Sequence, residues 1–217
     1  MSQVHQSPQC GWRGFVKRAI DALCAAAGLA VLWPILAAVA LSIRITMRGP
    51  VLFRQIRPGK YAQPFTLLKF RTMTVARDIH GQLLPDGERI TRLGRFLRAC
   101  SLDELPQLWN VLRGDMSLVG PRPLLMQYLA RYTPEQLRRH QVSPGITGWA
   151  QVNGRNALSW DEKFAMDTWY VDHWNLLLDA RILAITLRKV LTRQGISNQN
   201  HATMPEFMGR ETQRPAA

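Results

Sequence analysis

Two adjacent carboxylates, Asp103 and Glu104, stand in the run Arg98-Ala99-Cys100-Ser101-Leu102-Asp103-Glu104-Leu105-Pro106. On a helix, neighbouring side chains diverge by about 100°, so the two acids do not share one face. One reading is structural. Ser101 caps a helix over 101–112 with Glu104 closing a capping box, or Asp103 is itself the cap with Pro106 in the first turn. The other reading uses the same geometry for chemistry. A carboxylate at a helix start is kept ionised, and the free N–H groups there welcome phosphate oxygens. An ionised Asp103 is able to attack phosphorus and form an aspartyl-phosphate type of intermediate. Glu104 beside it can help hold Mg²⁺, a hard cation that takes oxygen ligands and bridges substrate phosphates. Arg98 and Arg122 are the candidates to offset phosphate charge. Arg122 lies in Gly120-Pro121-Arg122-Pro123, where the flanking prolines restrict its backbone. Taken singly, such an arginine is more often a solvated surface residue.

The elements that must position these residues follow from pattern. Residues 51–73 carry short strand-like runs around the Arg57-Pro58-Gly59 turn. Residues 76–91 are polar, contain Gly81, Pro85 and Gly87, and read as a loop. Arg92, Arg95 and Arg98 recur at the spacing of one face of a short helix. The stretch 114–123 is rich in turn residues, and 143–156, with Pro144, Gly145, Gly148 and Gly154, reads as a structured loop rather than an element. Thr133-Pro134 starts a helix, and Ser159-x-x-Glu162 is a capping box for a helix running toward Asp172. An amphipathic basic helix is expected over 179–193, either packed on the body or lying on a membrane surface.

The 217 residues carry 28 Lys and Arg against 15 acids, a net charge of +13. That balance points to anionic partners: nucleic acid, phospholipid head groups or phosphorylated substrates. Cys10, Cys24 and Cys100 are odd in number and widely spaced, which argues against a disulfide framework and against a zinc site. Eight of the basic side chains and a single acid, Asp21, fall in the first 60 positions. The same region holds 22 uncharged residues, Ala22 to Ile43, interrupted by Pro34. About 20 apolar residues suffice to span a bilayer core. Pro34, however, divides the run into pieces of roughly 18 and 14 Å, each short of the ~30 Å core. Basic residues flank both ends, so both ends favour the same side. The expectation is a re-entrant helix–break–helix anchor with Lys17, Arg18, Arg44 and Arg48 at the head groups. A kinked full crossing, and a signal peptide cleaved after Ala38-Val39-Ala40, are the alternatives.

Four ordered motifs carry a family resemblance: Arg98-x-x-Ser101-Leu102-Asp103-Glu104-Leu105-Pro106-Gln107, Asn110-Val111-Leu112-Arg113-Gly114-Asp115-Met116-Ser117, Val119-Gly120-Pro121-Arg122-Pro123 and Pro144-Gly145-Ile146-Thr147-Gly148-Trp149. Together with Lys69-Phe70-Arg71-Thr72-Met73, they resemble the bacterial sugar transferases, the monotopic phosphoglycosyl transferases of glycoconjugate assembly, over roughly 13–196. The downstream Gln151-Val152-Asn153-Gly154-Arg155-Asn156 and the short chain resemble the small bacillosamine-phosphate branch of protein glycosylation. No long multispan region precedes the motifs, which sets the larger members aside.

The resemblance implies a UDP-sugar donor, a polyprenyl (usually undecaprenyl) phosphate acceptor and Mg²⁺ dependence. It implies Asp103 as covalent nucleophile, Glu104 as its assistant, and Arg98 and Arg122 against phosphate. It also implies a cytosolic catalytic face on the inner membrane, in contact with phospholipid. The family's helix break often reads Ser-Pro, where this chain has Trp33-Pro34. The expected architecture is α/β, mostly α. Residues 1–48 form the anchor, 49–196 a compact catalytic domain with amphipathic interfacial helices and a small β element, and 197–217 a loosely ordered tail. Two rivals stand beside this reading: a membrane-anchored basic nucleic-acid-binding module, and an inactive scaffold of the same fold. The first lacks a zinc-finger spacing, a recognition helix and an aromatic RNA motif, so no nucleic-acid partner is expected.

Overall fold

The computed structural model describes residues 8–154, 158–192 and 206–209. The chain opens with helix α1, Gly11–Met47, followed by the antiparallel hairpin of β1, Leu52–Pro58, and β2, Pro64–Phe70. Helices α2, Asp86–Arg89, and α3, Arg92–Ala99, lead to a 3-10 turn over Leu102–Glu104 and then to α4, Gln107–Arg113. Strand β3, Ser117–Val119, pairs in parallel with β4, Gly145–Thr147, and helix α5, Pro134–Leu137, lies between them in sequence. Helices α6, Trp149–Asn153, α7, Trp160–His173, and α8, Leu176–Leu191, complete the body. The protein is mostly helical with small sheets, as expected.

Local chemistry accounts for most of the boundaries. Thr91 caps α3 by accepting from the Gly94 N–H. Both Thr133 with Gln136 and Ser159 with Glu162 close full capping boxes. Asn175 caps α8 earlier than charge pattern alone implies. The stretch 143–156 is not a loop: it holds β4 and α6. Its glycines serve close approach rather than disorder, since a Cβ at Gly145 would stand 2.1 Å from the Gly120 nitrogen. Asn110 fastens α4 to the hairpin by strand-like bonds, accepting from Leu68 N–H at 3.0 Å and donating to Thr66 C=O at 2.8 Å.

Helix α1 runs 37 residues, and among the described residues it is the one helix long and apolar enough to cross a membrane. The expected interruption at Pro34 is absent: the helical run continues through it. Proline's fixed φ suits a helix, and the cost of its missing N–H and of its ring against the preceding turn is borne here by a helix that packs on both sides of it. Positions 21, 25, 28, 32, 36, 39, 43 and 47 form one inward stripe that keeps phase across Pro34. Ala25 packs with Leu67, Val111 and Met116, while Val39, Ile43 and Met47 pack with Phe70 and Leu97. Trp12, Phe15, Leu23, Val31, Trp33, Leu41 and Ile45 point outward and are exposed.

Two of the residues assigned to the head groups are elsewhere. Lys17 is 5% exposed and lies between Asp21, at 2.8 Å, and Asp179, at 3.0 Å. Asp179 also accepts from the Tyr170 hydroxyl and the Trp174 indole, so the lysine is neutralised inside the protein and the second carboxylate is hydrogen-bonded there. Arg18 donates to the Val111 and Leu112 carbonyls, satisfying acceptors left open at the end of α4. Both basic side chains therefore bind α1 to the body rather than to lipid. The tail also departs from expectation, because Phe207 is 1% exposed among Tyr128, Tyr132 and Phe164. The remaining described tail residues are 206, 208 and 209.

Replacing Lys17 by Met would leave two buried carboxylates without their cation. Unfolding in detergent is expected to show a loss of about 3–5 kcal/mol, the scale for breaking a buried ion pair. A head-group contact is worth about 1 kcal/mol, so a loss of that size or less would contradict the internal role.

Candidate active site

The acids do not begin an α-helix. Ser101 adopts a left-handed backbone, φ 55° and ψ 19°, makes no side-chain cap, and turns the chain sharply from α3 into the 3-10 turn that carries Asp103 and Glu104. Neither the capping box nor the Asp103 cap forms; α4 starts at Gln107 after Pro106. A non-glycine residue held in this region costs of order 1 kcal/mol or more, and such strain gathers at functional sites.

The turn hands its two carboxylates different surroundings. Glu104 Oε1 accepts from Lys69 Nζ at 2.8 Å and from Arg122 Nη2 at 2.6 Å. Burial alone would raise the Glu104 carboxyl, but Arg122 and then Lys69 outweigh it and hold the group far below the usual carboxylate range. Glu104 is thus a fixed anion. Asp103 is also buried, yet no group among the described residues hydrogen-bonds its side chain. Burial, and next the charge of Glu104, raise its pKa above the ordinary 3.8, opposed by Lys69, Arg98 and Arg122. The two acids are therefore pushed in opposite directions, which is how neighbouring carboxyls acquire different roles.

A cavity of about 780 Å³ opens over the pair. Arg98, Arg122, Lys69, Gln151, Trp160 and Lys163 are among the residues that line it. The structure brings together Asp103, Glu104, Arg98 and Arg122, the residues singled out by sequence. Arg98 is placed by its Nε–H bond to the Thr72 hydroxyl at 3.1 Å. That contact depends on α3 lying hard against the end of β2, where a Cβ at Gly94 would stand 1.9 Å from Thr72 O. Arg122 is held from several sides: Glu104 and Gln151 Oε1 take its guanidinium, and Arg139 donates to its backbone carbonyl at 2.8 Å. Arg139 is in turn fixed by Asp167, at 2.7 and 3.0 Å.

Lys69, Gln151 and the Arg139–Asp167 pair were not assigned to the site from sequence. Lys69 left a visible trace, a lone charge in the otherwise apolar Leu67-Leu68-Lys69-Phe70, and burial followed by Arg122 lowers its pKa while Glu104 opposes. The pairing of Arg139 with Asp167 had none, because helical spacing does not connect them. Arg155 and Asn156, at the end of one motif, lie outside the described residues. The arrangement suits chemistry on a phosphoryl group: an unpaired carboxylate on a rigid turn, a ring of cations, and space for a sizeable anion.

Comparison with known proteins accords with that geometry. A family profile described as bacterial sugar transferase matches residues 12–193. The chain is 60% identical over 167 residues to an uncharacterized sugar transferase, EpsL, of Bacillus subtilis (strain 168), covering 77% of this chain and 83% of that protein. It is 43% identical over 186 residues to a UDP-glucose:undecaprenyl-phosphate glucose-1-phosphate transferase of Caulobacter vibrioides, covering 81% of this chain and 70% of the relative. A UDP-N-acetylgalactosamine-undecaprenyl-phosphate N-acetylgalactosaminephosphotransferase of Aeromonas hydrophila is 41% identical over 189 residues, 83% of this chain but 45% of that protein. The match runs through the hairpin, the acid pair and the arginine loop alike, and the chain belongs to the bacterial sugar transferase family.

Proposed function

We propose that the protein transfers a sugar-1-phosphate from a UDP-sugar to polyprenyl phosphate, of the undecaprenyl type, through a phosphosugar ester on Asp103. The observation that carries this reading is the contrast within the acid pair: Glu104 Oε1 is held by two cations, and Asp103 faces the cavity without a hydrogen bond among the described residues. An unpaired carboxylate keeps its lone pairs for attack. The relatives named for UDP-sugar and undecaprenyl-phosphate substrates supply the substrate classes.

In the first step an Asp103 oxygen attacks the β-phosphorus of the donor. The bond from that phosphorus to the bridging oxygen breaks, and UMP departs with the bond's electron pair. In the second, a phosphate oxygen of the acceptor attacks the same phosphorus, the ester bond to Asp103 breaks, and polyprenyl-diphosphate-sugar forms with the carboxylate restored. Arg98 lines the cavity near Asp103 and Arg122 is clamped to Glu104, so both stand ready to offset phosphoryl charge without reorganising. Division into two steps lets a soluble donor and a lipid acceptor occupy the site in turn.

Mg²⁺ fits the donor set. Asp103 and Glu104 Oε2 are hard oxygens without hydrogen bonds among the described residues, and two carboxylates plus substrate phosphates are a usual Mg²⁺ environment. When bound there, the cation would neutralise part of the diphosphate charge.

The same reading places α1 in one leaflet with the body on the cytosolic side, as a monotopic anchor of the inner membrane. The continuous inward stripe supports it. Both arms of α1 touch the same body, so an upright crossing would drag that polar body into the hydrocarbon. The outward apolar face, with Trp12, Val31, Trp33 and Ile45, needs an apolar surrounding and suits contact with phospholipid. The sugar products would enter glycoconjugate assembly, protein glycosylation included.

Two outcomes test this. With a UDP-sugar, Mg²⁺ and no acceptor, the protein is expected to release UMP in a burst, and Asp103→Asn to lose at least about 10,000-fold in turnover while staying folded. Undiminished release by that variant would remove Asp103 from the role. The pH profile gives a second readout, since attack requires ionised Asp103 and the rate falls as pH drops through its raised pKa. Glu104→Gln removes the neighbouring negative charge and frees Lys69 and Arg122, so the acid limb of its residual activity is expected at lower pH than in the unmodified protein. A limb that stays in place or moves upward would contradict the electrostatic assignment.

A further inference from the structure

The reaction steps above do not explain the surroundings of Arg57, a cation of the cavity. Arg57, near the end of β1, lines it alongside Arg122. Three of the acids that line the cavity are engaged elsewhere, Glu104 by Lys69 and Arg122, Asp167 by Arg139 and Asp86 by Arg89, and Asp103 forms no ion pair with Arg57. Among the described residues no carboxylate pairs with Arg57. Its Nη2 donates to Gln55 Oε1 at 2.6 Å, and its Nε is buried with no hydrogen-bond partner. Burial, and next the repulsion of Arg122, pull its pKa down to about 10. Placing an unmatched guanidinium in a partly dry site beside a second one is unfavourable unless an anion completes the set. The other groups that bear on it are Tyr128 and Tyr132, which oppose that lowering. Gln55 orients the fork without neutralising it.

We infer that Arg57, oriented by Gln55, is a seat for a second phosphoryl group, on the wall of the cavity that it shares with Arg122, Trp160 and Lys163. This rests on the phosphosugar-transfer reading for the identity of the anion. Guanidinium geometry matches phosphate oxygens through N–H donors, and Nη1, which makes no hydrogen bond among the described residues and is not closed off as Nε is, is the donor such a contact would use. Two phosphoryl groups fit this chemistry: the uridine-side phosphate of the donor, which leaves in UMP, and the phosphate of the lipid acceptor. Arg122 remains the partner of Glu104 in either case, so Arg57 adds a contact rather than replacing one.

The test is direct binding to the full-length protein in one detergent, with two probes, UDP and a short-chain polyprenyl phosphate. Arg57→Met removes the charge and the fork; Arg57→Lys keeps the charge and guards against a folding defect. The expected result is at least a tenfold weaker Kd with Arg57→Met for one of the probes, and a smaller loss with Arg57→Lys. Loss confined to UDP assigns the donor phosphate, and loss confined to the polyprenyl phosphate assigns the acceptor. Affinities within twofold of the unmodified protein for both probes, with both variants folded, would overturn the seat, as would an unmodified protein that binds neither. Should Arg57→Met misfold, the comparison rests on Arg57→Lys, where at least a threefold loss for one probe is expected and unchanged affinity for both overturns the proposal. UMP release by the unmodified protein is scored separately, so a protein that binds UDP through Arg57 yet releases no UMP would sink the transfer reading and leave the seat standing.

Discussion

A single carboxylate oxygen, Glu104 Oε1, receives two cations from separate parts of the chain, Lys69 from β2 and Arg122 from the Gly-Pro-Arg-Pro loop. In a partly buried site this charge-matched junction is strong only when every member is held in place. The fold provides that support in layers. Asn110 ties β2 to α4, Arg139 and Asp167 fix the Arg122 backbone, and the paired β3 and β4 position the loop from which Arg122 projects. With Glu104 Oε1 doubly engaged, Asp103 is the carboxylate of the pair left without a hydrogen bond among the described residues. The division of roles between two adjacent acids thus follows from which one the cations can reach.

The same logic joins α1 to the body. Its amphipathicity is weak if judged by polarity alone, because apolar residues cover most of its surface. What orients it is a line of close contacts from Asp21 to Met47 and a buried charge cluster at Lys17. A lipid-facing helix gains little from apolar contact as such, since lipid is equally apolar. Buried polar pairing and close packing, as at Gly28 against Leu108, therefore set its rotation. That rotation keeps the site's scaffold, β2 and α4, against α1 while leaving the opposite apolar face exposed.

Much of this was legible in the sequence where the signal is local. The hairpin around Arg57-Pro58-Gly59, the face of Arg92, Arg95 and Arg98, and the starts at Thr133 and Ser159 all rest on residues a few positions apart. The acid pair and the two arginines were found through the short motifs that hold them, since taken singly each reads as a helix start or a surface charge. What stayed hidden depends on distance along the chain. Lys17 reads as a membrane-surface cation until Asp179 is placed beside it. Pro34 reads as a break, yet the helix continues through it, packed against the body on both sides. Phe207 reads as part of a loose tail until the aromatic cage of Tyr128, Tyr132 and Phe164 receives it. The strands β3 and β4 are three residues each and exist through their pairing, so among the glycines and prolines that flank them they look like loops.

The central claim is that the electrostatic asymmetry of the acid pair makes Asp103 the atom donor of a covalent link. Mass analysis of peptides from protein quenched during incubation with a UDP-sugar, before acceptor is added, tests it most directly. The expected result is a sugar-phosphate increment on the peptide containing Asp103, located at that side chain and discharged when polyprenyl phosphate is supplied. An increment on Glu104 or any other residue, or none in protein that is turning over, would contradict the account.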